Sequence, residues 1–176
     1  YTKVSAGDGQ SCAVTTNGAV HCWGANTVFG ALGNGGTAPS GVPVAVRGIS
    51  TAVEVRASLF HTCARLTDGS VRCWGRGTGG ALGQDSFTNS PLPVTLLGFG
   101  PAGPAIQLGL GAEHTCVLSQ SKQPFCAGRN DYGQAGKPII GSSGALASSV
   151  PILNVDEIAI GAYHSCARVG GTVQPA

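Results

Sequence analysis

One spacing recurs along this chain of 176 residues, and it limits the folds that are possible. A cysteine follows Gln-Ser or His-Ser/Thr four times, at intervals of 51, 53 and 50 residues, at Cys12, Cys63, Cys116 and Cys166. Another cysteine comes ten residues after each of the first three: Cys22, Cys73 and Cys126. Self-similarity at such a period is typical of propellers and other repeat arrays. We therefore expect a single partial propeller with repeat units at approximately 1–51, 52–104, 105–154 and, incomplete, 155–176.

Each unit has the pattern of four β-strands. Asn17-Gly18 and Asp68-Gly69 separate short runs of β-forming residues, and glycine adopts the positive φ that a tight hairpin turn requires. If the paired cysteines face each other, the turn has three residues with glycine in the left-handed region. The third unit lacks this turn chemistry between Ser119 and Gln123, so a looser loop is expected there. An apolar segment before the first cysteine and a proline-containing segment at the end of the unit complete four strands.

At these residues the sequence resembles the regulator-of-chromosome-condensation repeat family, whose blades build a seven-bladed β-propeller. The match is clearest between Phe60 and Gly83, which contains His-Thr-x-Ala, Asp-Gly-x-Val, Trp-Gly and Gly-Ala-Leu-Gly in order. The first unit departs from this pattern at Gln10 and the third at Ala127. The resemblance implies an all-β partial propeller of about three four-stranded blades plus the start of a fourth, as part of a seven-bladed propeller. It says little about function, because propellers serve many unrelated roles.

The paired cysteines are predicted to form disulfides, since opposed residues on antiparallel strands lie within disulfide range. Regular disulfides indicate an oxidising compartment, so a secreted or cell-surface location is expected. The alternatives are reduced buried cysteines and a metal site. No metal is expected, because zinc sites favour ligand pairs two to four residues apart. Cys166 has Ala176 at the expected partner position, so it is predicted to be unpaired or to bridge to another chain. The histidines are expected to donate hydrogen bonds within their blades.

Charged residues are only 10% of the chain, and they are dispersed. With a net charge of +2 and scattered basic residues, no nucleic-acid footprint is present. The apolar runs are too short to cross a bilayer, so no membrane insertion is expected. Glu113 beside His114 is the only suggestive acid–histidine pair, but adjacent strand residues point to opposite faces. We therefore expect no enzyme and no cofactor, and both Trp23 and Trp74 are expected to be buried.

The leading hypothesis is a non-enzymatic extracellular scaffold that binds another protein through its blade loops, because loops on rigid scaffolds often carry function. The long glycine-rich segments 25–37, 76–90 and 129–146 contain the candidate partner-binding residues Phe29, Arg76, Phe87, Arg129, Asp131 and Tyr132. Aromatic residues and arginine are enriched at interface hot spots. Packing in front of the glycine motif is the alternative for Phe29 and Tyr132. The alternative functions are a structural subunit of an extracellular fibre or surface assembly, and a carbohydrate-binding propeller; a GTPase exchange factor or an enzyme comes last. Further copies or blades of the same propeller are the other expected partners.

Overall fold

The computed structural model describes residues 1–26, 28–137 and 144–175, and its strands form four antiparallel sheets in chain order. The first sheet contains β1 (Lys3–Ala6), β2 (Gln10–Val14), β3 (Val20–Gly24) and β4 (Ser40–Ala45). The second contains β5 (Ala52–Ala57), β6 (His61–Leu66), β7 (Val71–Gly75) and β8 (Ser90–Thr95). The third contains β9 (Ala105–Leu110), β10 (His114–Ser119), β11 (Pro124–Gly128) and β12 (Gly144–Ser149). The fourth contains β13 (Glu157–Ile160), β14 (Ser165–Val169) and β15 (Thr172–Pro175).

These four sheets are the blades of a propeller arc. The first strands of successive blades lie beside one another, so β1, β5, β9 and β13 are the inner strands. The outer strands β4 and β8 contain Pro43, Pro91 and Pro93, as expected of edge strands, since proline cannot donate to a neighbouring strand. The predicted all-β partial propeller, with three four-stranded blades and a fourth begun, is confirmed. Among the described residues there is no helix long and apolar enough to cross a membrane. Positions 27, 138–143 and 176, which belong to the predicted loop segments and to the predicted partner position of Cys166, lie outside the described residues.

The hairpin between the second and third strands is the same in the first three blades. Gly18 and Gly69 adopt φ values of +83° and +78° at the end of a three-residue turn. In the third blade Lys122 takes this place with φ +60°, and its N–H donates to the Ser119 carbonyl at 2.9 Å. The expectation of a looser loop there was wrong. The paired strands on both sides hold the turn, although a left-handed conformation costs a residue with a side chain roughly 1–2 kcal/mol.

The apolar core lies between neighbouring blades. Val14 and Leu32 of the first blade pack with Val55 and Trp74 of the second, and the same arrangement recurs at the next two joints. Six of the seven cysteines lie in these layers and are almost fully buried. Because each blade buries one face against its neighbour, the blades stabilise one another as repeats of a stacked array do.

The two tryptophans differ in burial. The Trp74 side chain is fully buried, and its Nε1–H donates to the Ala31 carbonyl of the preceding blade at 2.8 Å. Trp23, at the same position of the first blade, is only half-buried, which corrects the expectation that both are buried. Among the described residues no earlier repeat lies over Trp23, so it lacks the surface that covers Trp74.

Two of the four histidines, His61 and His114, also lie at these joints, so the prediction that the histidines bond within a blade was incomplete. His61 Nε2 lies 2.8 Å from Thr115 Oγ1 of the next blade, and that hydroxyl donates to the Ala81 carbonyl at 2.7 Å. Since the hydroxyl has one proton, Nε2–H of His61 must be the donor to Thr115. Ser58 Oγ lies 2.9 Å from the other ring nitrogen. Burial, followed by the nearby His114, lowers the pKa of His61 to about 3.

His114 makes the same joint to the fourth blade. Its Nε2 lies 3.0 Å from Ser165 Oγ, which donates to the Gln134 carbonyl at 2.7 Å. Its Nδ1 has no hydrogen-bond partner in the part of the chain that the structure describes. Burial, followed by His164, lowers the pKa of His114 to about 4. Gln10 replaces histidine in the first blade and donates instead to the Ser58 carbonyl at 2.8 Å.

Each predicted cysteine pair lies directly opposite across β2–β3, β6–β7 or β10–β11. The sulfur atoms are at bonding distance, with S–S separations of 2.12, 2.12 and 2.06 Å for Cys12–Cys22, Cys63–Cys73 and Cys116–Cys126. Cys166 is free and half-buried. It faces Pro175 across β14–β15, where Val169 pairs with Thr172. The expected opposite residue, Ala176, was therefore wrong by one position, because this turn has two residues instead of three.

Candidate interaction site

Two loops of each of the first three blades meet on one face of the arc, here called the loop face. In an antiparallel blade, the loop between the first and second strands and the loop between the third and fourth strands lie at the same end. A backbone hydrogen bond joins the two loops in each of these blades. Its donor is the N–H of the residue that follows Trp-Gly, or Ala-Gly in the third blade, and its acceptor is the carbonyl just before the second strand. The bonds run from Ala25 to Gly9 at 2.7 Å, from Arg76 to Phe60 at 3.0 Å and from Arg129 to Glu113 at 2.9 Å. These bonds therefore hold the two loops together in each of the first three blades.

Arg76 lies against two aromatic rings on the loop face. Its guanidinium carbon is 4.8 Å from the ring centroid of Phe60 and 5.4 Å from that of Phe29. The two rings meet edge to face, with centroids 6.0 Å apart. Arg76 Nε also donates to Thr78 Oγ1 at 2.9 Å. Such cation–π contacts stabilise a side chain by roughly 0.5–1 kcal/mol at exposed sites. Arg76 is therefore held in one orientation across the first two blades.

Glu113 joins this arginine to a second one. Its Oε1 accepts from Arg76 Nη1 at 2.8 Å, and its Oε2 accepts from Arg129 Nη1 at 2.7 Å. Arg129 Nε donates to Asp131. The hydrogen bonds to Glu113 and then to Asp131 raise the pKa of the Arg129 guanidinium above its usual range. The charges of Arg76, Arg129, Glu113 and Asp131 therefore sum to zero. We call the set that crosses three blades the arginine row: Phe29, Phe60, Arg76, Glu113, Arg129 and Asp131.

Four of the six predicted partner-binding residues thus come together in the arginine row. Phe87 and Tyr132 lie on loops of the same face, and these residues are 52% and 75% exposed. The loop of Phe87 is braced, because Gln84 Nε2 donates to the Thr88 carbonyl at 2.8 Å. Of the two residues with a packing alternative, Phe29 packs on Phe60, whereas the Tyr132 ring is largely in solvent.

The sequence analysis did not identify Phe60, and it gave Glu113 no role in binding. Both residues stand immediately before the repeated histidine, and Tyr163 has this position in the fourth unit with 60% exposure. The sequence contained a signal for them, because these positions recur at the same period as Arg76 after Trp-Gly and Arg129 after Ala-Gly. Glu113 and His114 do not cooperate: Glu113 bonds two surface arginines, whereas the His114 ring is buried at a blade joint.

No arrangement suited to catalysis is apparent in the described residues. An open groove of about 560 Å³ on the opposite face is lined mainly by apolar residues and glycines, and its one acidic residue, Asp68, binds Ser70 within its own turn. In residues 1–26, 28–137 and 144–175, no three His, Cys, Asp or Glu residues are grouped so that they could hold a metal ion.

Comparison with known proteins found two matching family models and several related proteins. Two profiles described as the regulator of chromosome condensation (RCC1) repeat match the chain, one at residues 17–65 and 68–118, the other at 1–30, 52–81 and 105–134. The human E3 ubiquitin-protein ligase HERC2 is 26% identical over 91% of this chain, and the probable human E3 ubiquitin-protein ligase HERC3 is 30% identical over 95%. The chain spans only 3% and 16% of these two proteins.

Solved structures show the same fold. Prp20p from Saccharomyces cerevisiae is 18% identical, with a TM-score of 0.82 over 96% of this chain and 43% of its own. The ectodomain of the Arabidopsis thaliana receptor kinase ACR4 is 22% identical, with a TM-score of 0.57 over 98% of this chain and 51% of its own. At these identities the likeness concerns the fold alone.

Proposed function

Because the chain belongs to the regulator of chromosome condensation (RCC1) repeat family, we propose that it is a non-enzymatic module that binds another protein through its loop face. The arginine row is the observation that carries this proposal. It places oriented arginines and aromatic rings on one surface, and these residue types are enriched at interface hot spots. The exposed rings of Phe87 and Tyr132 extend the same face. A surface held in place by its own ion pairs needs little ordering on binding, which favours affinity.

The charges of the row favour a protein over a nucleic acid. Arg76 and Arg129 are each paired with a carboxylate, so the row has no excess positive charge to attract phosphates. Prp20p, whose solved structure has this fold, binds Gsp1p and histones, which supports protein binding by this fold. The ligase activity named for HERC2 and HERC3 is not part of the proposal, because the chain spans a small share of either protein.

We also propose that the protein works in an oxidising compartment, secreted or at a cell surface. Three cysteine pairs at bonding distance support this, because such pairs are rare in the reducing cytosol. The ACR4 structure is described as an ectodomain, so this fold also occurs outside cells. The measurement is the intact mass of the native protein after alkylation, with and without reduction. Six additional tags after reduction are expected, and an unchanged mass would contradict the compartment.

Site-directed photo-crosslinking tests the binding face. A photoreactive amino acid is placed at Phe87 or Tyr132 on the loop face, and at Val42 on the outer strand as an equally exposed control. Extracellular material from the source is the test mixture, and crosslinked species are identified by mass. We expect the same protein to be captured from both loop-face positions and not from Val42. Equal capture from all three positions, or from Val42 alone, would refute the assignment of the face.

A structural subunit of an extracellular assembly is the second candidate, and the free Cys166 favours it. This cysteine is half-buried, whereas the other six are almost fully buried, so it is the thiol best placed to join two chains. Non-reducing electrophoresis of the native material separates the two functions, since a dimer that Cys166→Ser abolishes would indicate an assembly. For carbohydrate binding there is less support, because Trp74 is buried at a blade joint.

A further inference from the structure

We propose that Glu113 is an internal ligand that fills a two-arginine anion site, and that it thereby prevents the loop face from binding phosphate and similar anions. This inference rests on the proposed function, because it concerns the specificity of the same arginine row. Anion binding can be measured without the protein partner, however, so the two proposals can fail separately.

The geometry around Glu113 is that of a bound oxyanion. Its two carboxylate oxygens each accept one guanidinium N–H, at 2.8 Å from Arg76 and at 2.7 Å from Arg129. The arginines come from neighbouring blades and converge on one carboxylate. Planar guanidinium groups that converge in this way are the usual protein ligands of carboxylate and phosphate. The side chain of Glu113 therefore occupies the place that an external anion would take.

The two arginines do not depend on Glu113 alone for their positions. Arg76 lies against the rings of Phe60 and Phe29, and its Nε donates to Thr78. Arg129 Nε donates to Asp131. Because these contacts remain when the Glu113 carboxylate is removed, the arginine pair should stay in place and the anion site should open.

The site can also be reached from solvent. The Arg129 side chain is 43% exposed and that of Arg76 28%, whereas that of Glu113 is 15% exposed and lies between them. Without the Glu113 charge, the row has two arginines and one aspartate, a net charge of +1. With it, the row is neutral, and an approaching anion meets a carboxylate of like charge. Glu113 thus acts as the repulsive element that selects against anionic ligands.

The test compares inorganic phosphate binding to the wild type and to Glu113→Gln, whose neutral amide is no longer held by the charge of the two arginines and can be displaced by phosphate. NMR titration follows the Nε–H signals of the arginine side chains, with urea midpoints as the check of folding. We expect the variant to bind phosphate with a Kd at least about tenfold lower than the wild type, as one added charge-assisted contact would give. Glu113→Ala, which empties the site, should show the same gain.

Two control variants make the result specific. Glu157→Gln removes a carboxylate outside the arginine row, one that pairs with Arg168 at 3.1 Å, and should give no gain. Adding Arg129→Ala to Glu113→Gln should abolish the gain. Equal phosphate binding by the wild type and Glu113→Gln, or an equal gain in Glu157→Gln, would overturn the inference. Neither result would affect protein binding at the loop face, which the crosslinking experiment decides.

Discussion

Acidification from pH 7 to pH 5 should destabilise the protein through the two histidines at the blade joints. Burial lowers the pKa of His61 to about 3 and that of His114 to about 4, from an ordinary value of 6.5. Below pH 6.5 the unfolded chain takes up a proton on each ring, whereas the folded protein does not until the pH approaches the lowered values. The stabilisation is therefore present above pH 6.5 and is lost as the pH falls. At pH 5 each ring contributes about 2 kcal/mol less than at pH 7, or about 4 kcal/mol together.

Urea unfolding at pH 7 and at pH 5 measures this loss, provided that the free energy of unfolding falls with urea concentration at the same slope at both pH values. The chain itself suggests the substitution, because Gln10 occupies the equivalent position in the first blade. His61→Gln and His114→Gln should each remove about 2 kcal/mol of the pH-dependent change, and the double variant should remove nearly all of it. His21→Gln, which replaces a histidine that is not fully buried, is the control and should leave the change intact. A double variant with the full loss between pH 7 and pH 5 would refute the assignment to these rings.

Three further outcomes are expected. Trp74→Phe should lower the free energy of unfolding by about 1 kcal/mol or more, because the hydrogen bond to the Ala31 carbonyl is lost. Trp23→Phe should lower it by less, and equal urea midpoints for the two variants would contradict this. Under native conditions iodoacetamide should label Cys166, whereas the six buried cysteines should be labelled only after reduction in denaturant, as peptide mass mapping would show. Lys122→Gly should be more stable than Lys122→Ala by about 1 kcal/mol, because both variants lose the 2.9 Å ion pair with Asp156 but only glycine adopts φ +60° without strain; equal urea midpoints for the two variants would show that the turn is not strained.

The local features of each blade could be predicted from the order of residues. The Asn17-Gly18 and Asp68-Gly69 turns mark hairpins, because few residues other than glycine accept the required φ. The equal spacing of the cysteines then places them opposite each other, since the register of a hairpin follows from its turn. The third-blade turn was mispredicted for the converse reason. Lys122 has no left-handed preference of its own, and the flanking strand pairs impose that conformation on it.

The candidate site could be predicted only in part. Arg76 and Arg129 could be predicted as binding residues because they are arginines in long loops, and the composition of those loops is enough for that prediction. Their partner Glu113 lies in a different loop, and the distance between those loops depends on how neighbouring blades are placed. The same holds for His61, whose partner Thr115 is 54 residues away in the sequence. No local pattern records which side chain of the next blade will face it.

The sequence by itself determined the repeat, the strands, the hairpins and the opposed cysteines, because these follow from backbone preferences and register within about fifty residues. The tertiary structure alone decided which groups meet between blades. It set the burial that lowers the pKa of His61, the covering of Trp74 but not Trp23, and the two arginines on Glu113. The physical reason is that blades contact one another face to face through side chains: the repeat period shows which positions recur, but not which side chain of the next blade each of them meets.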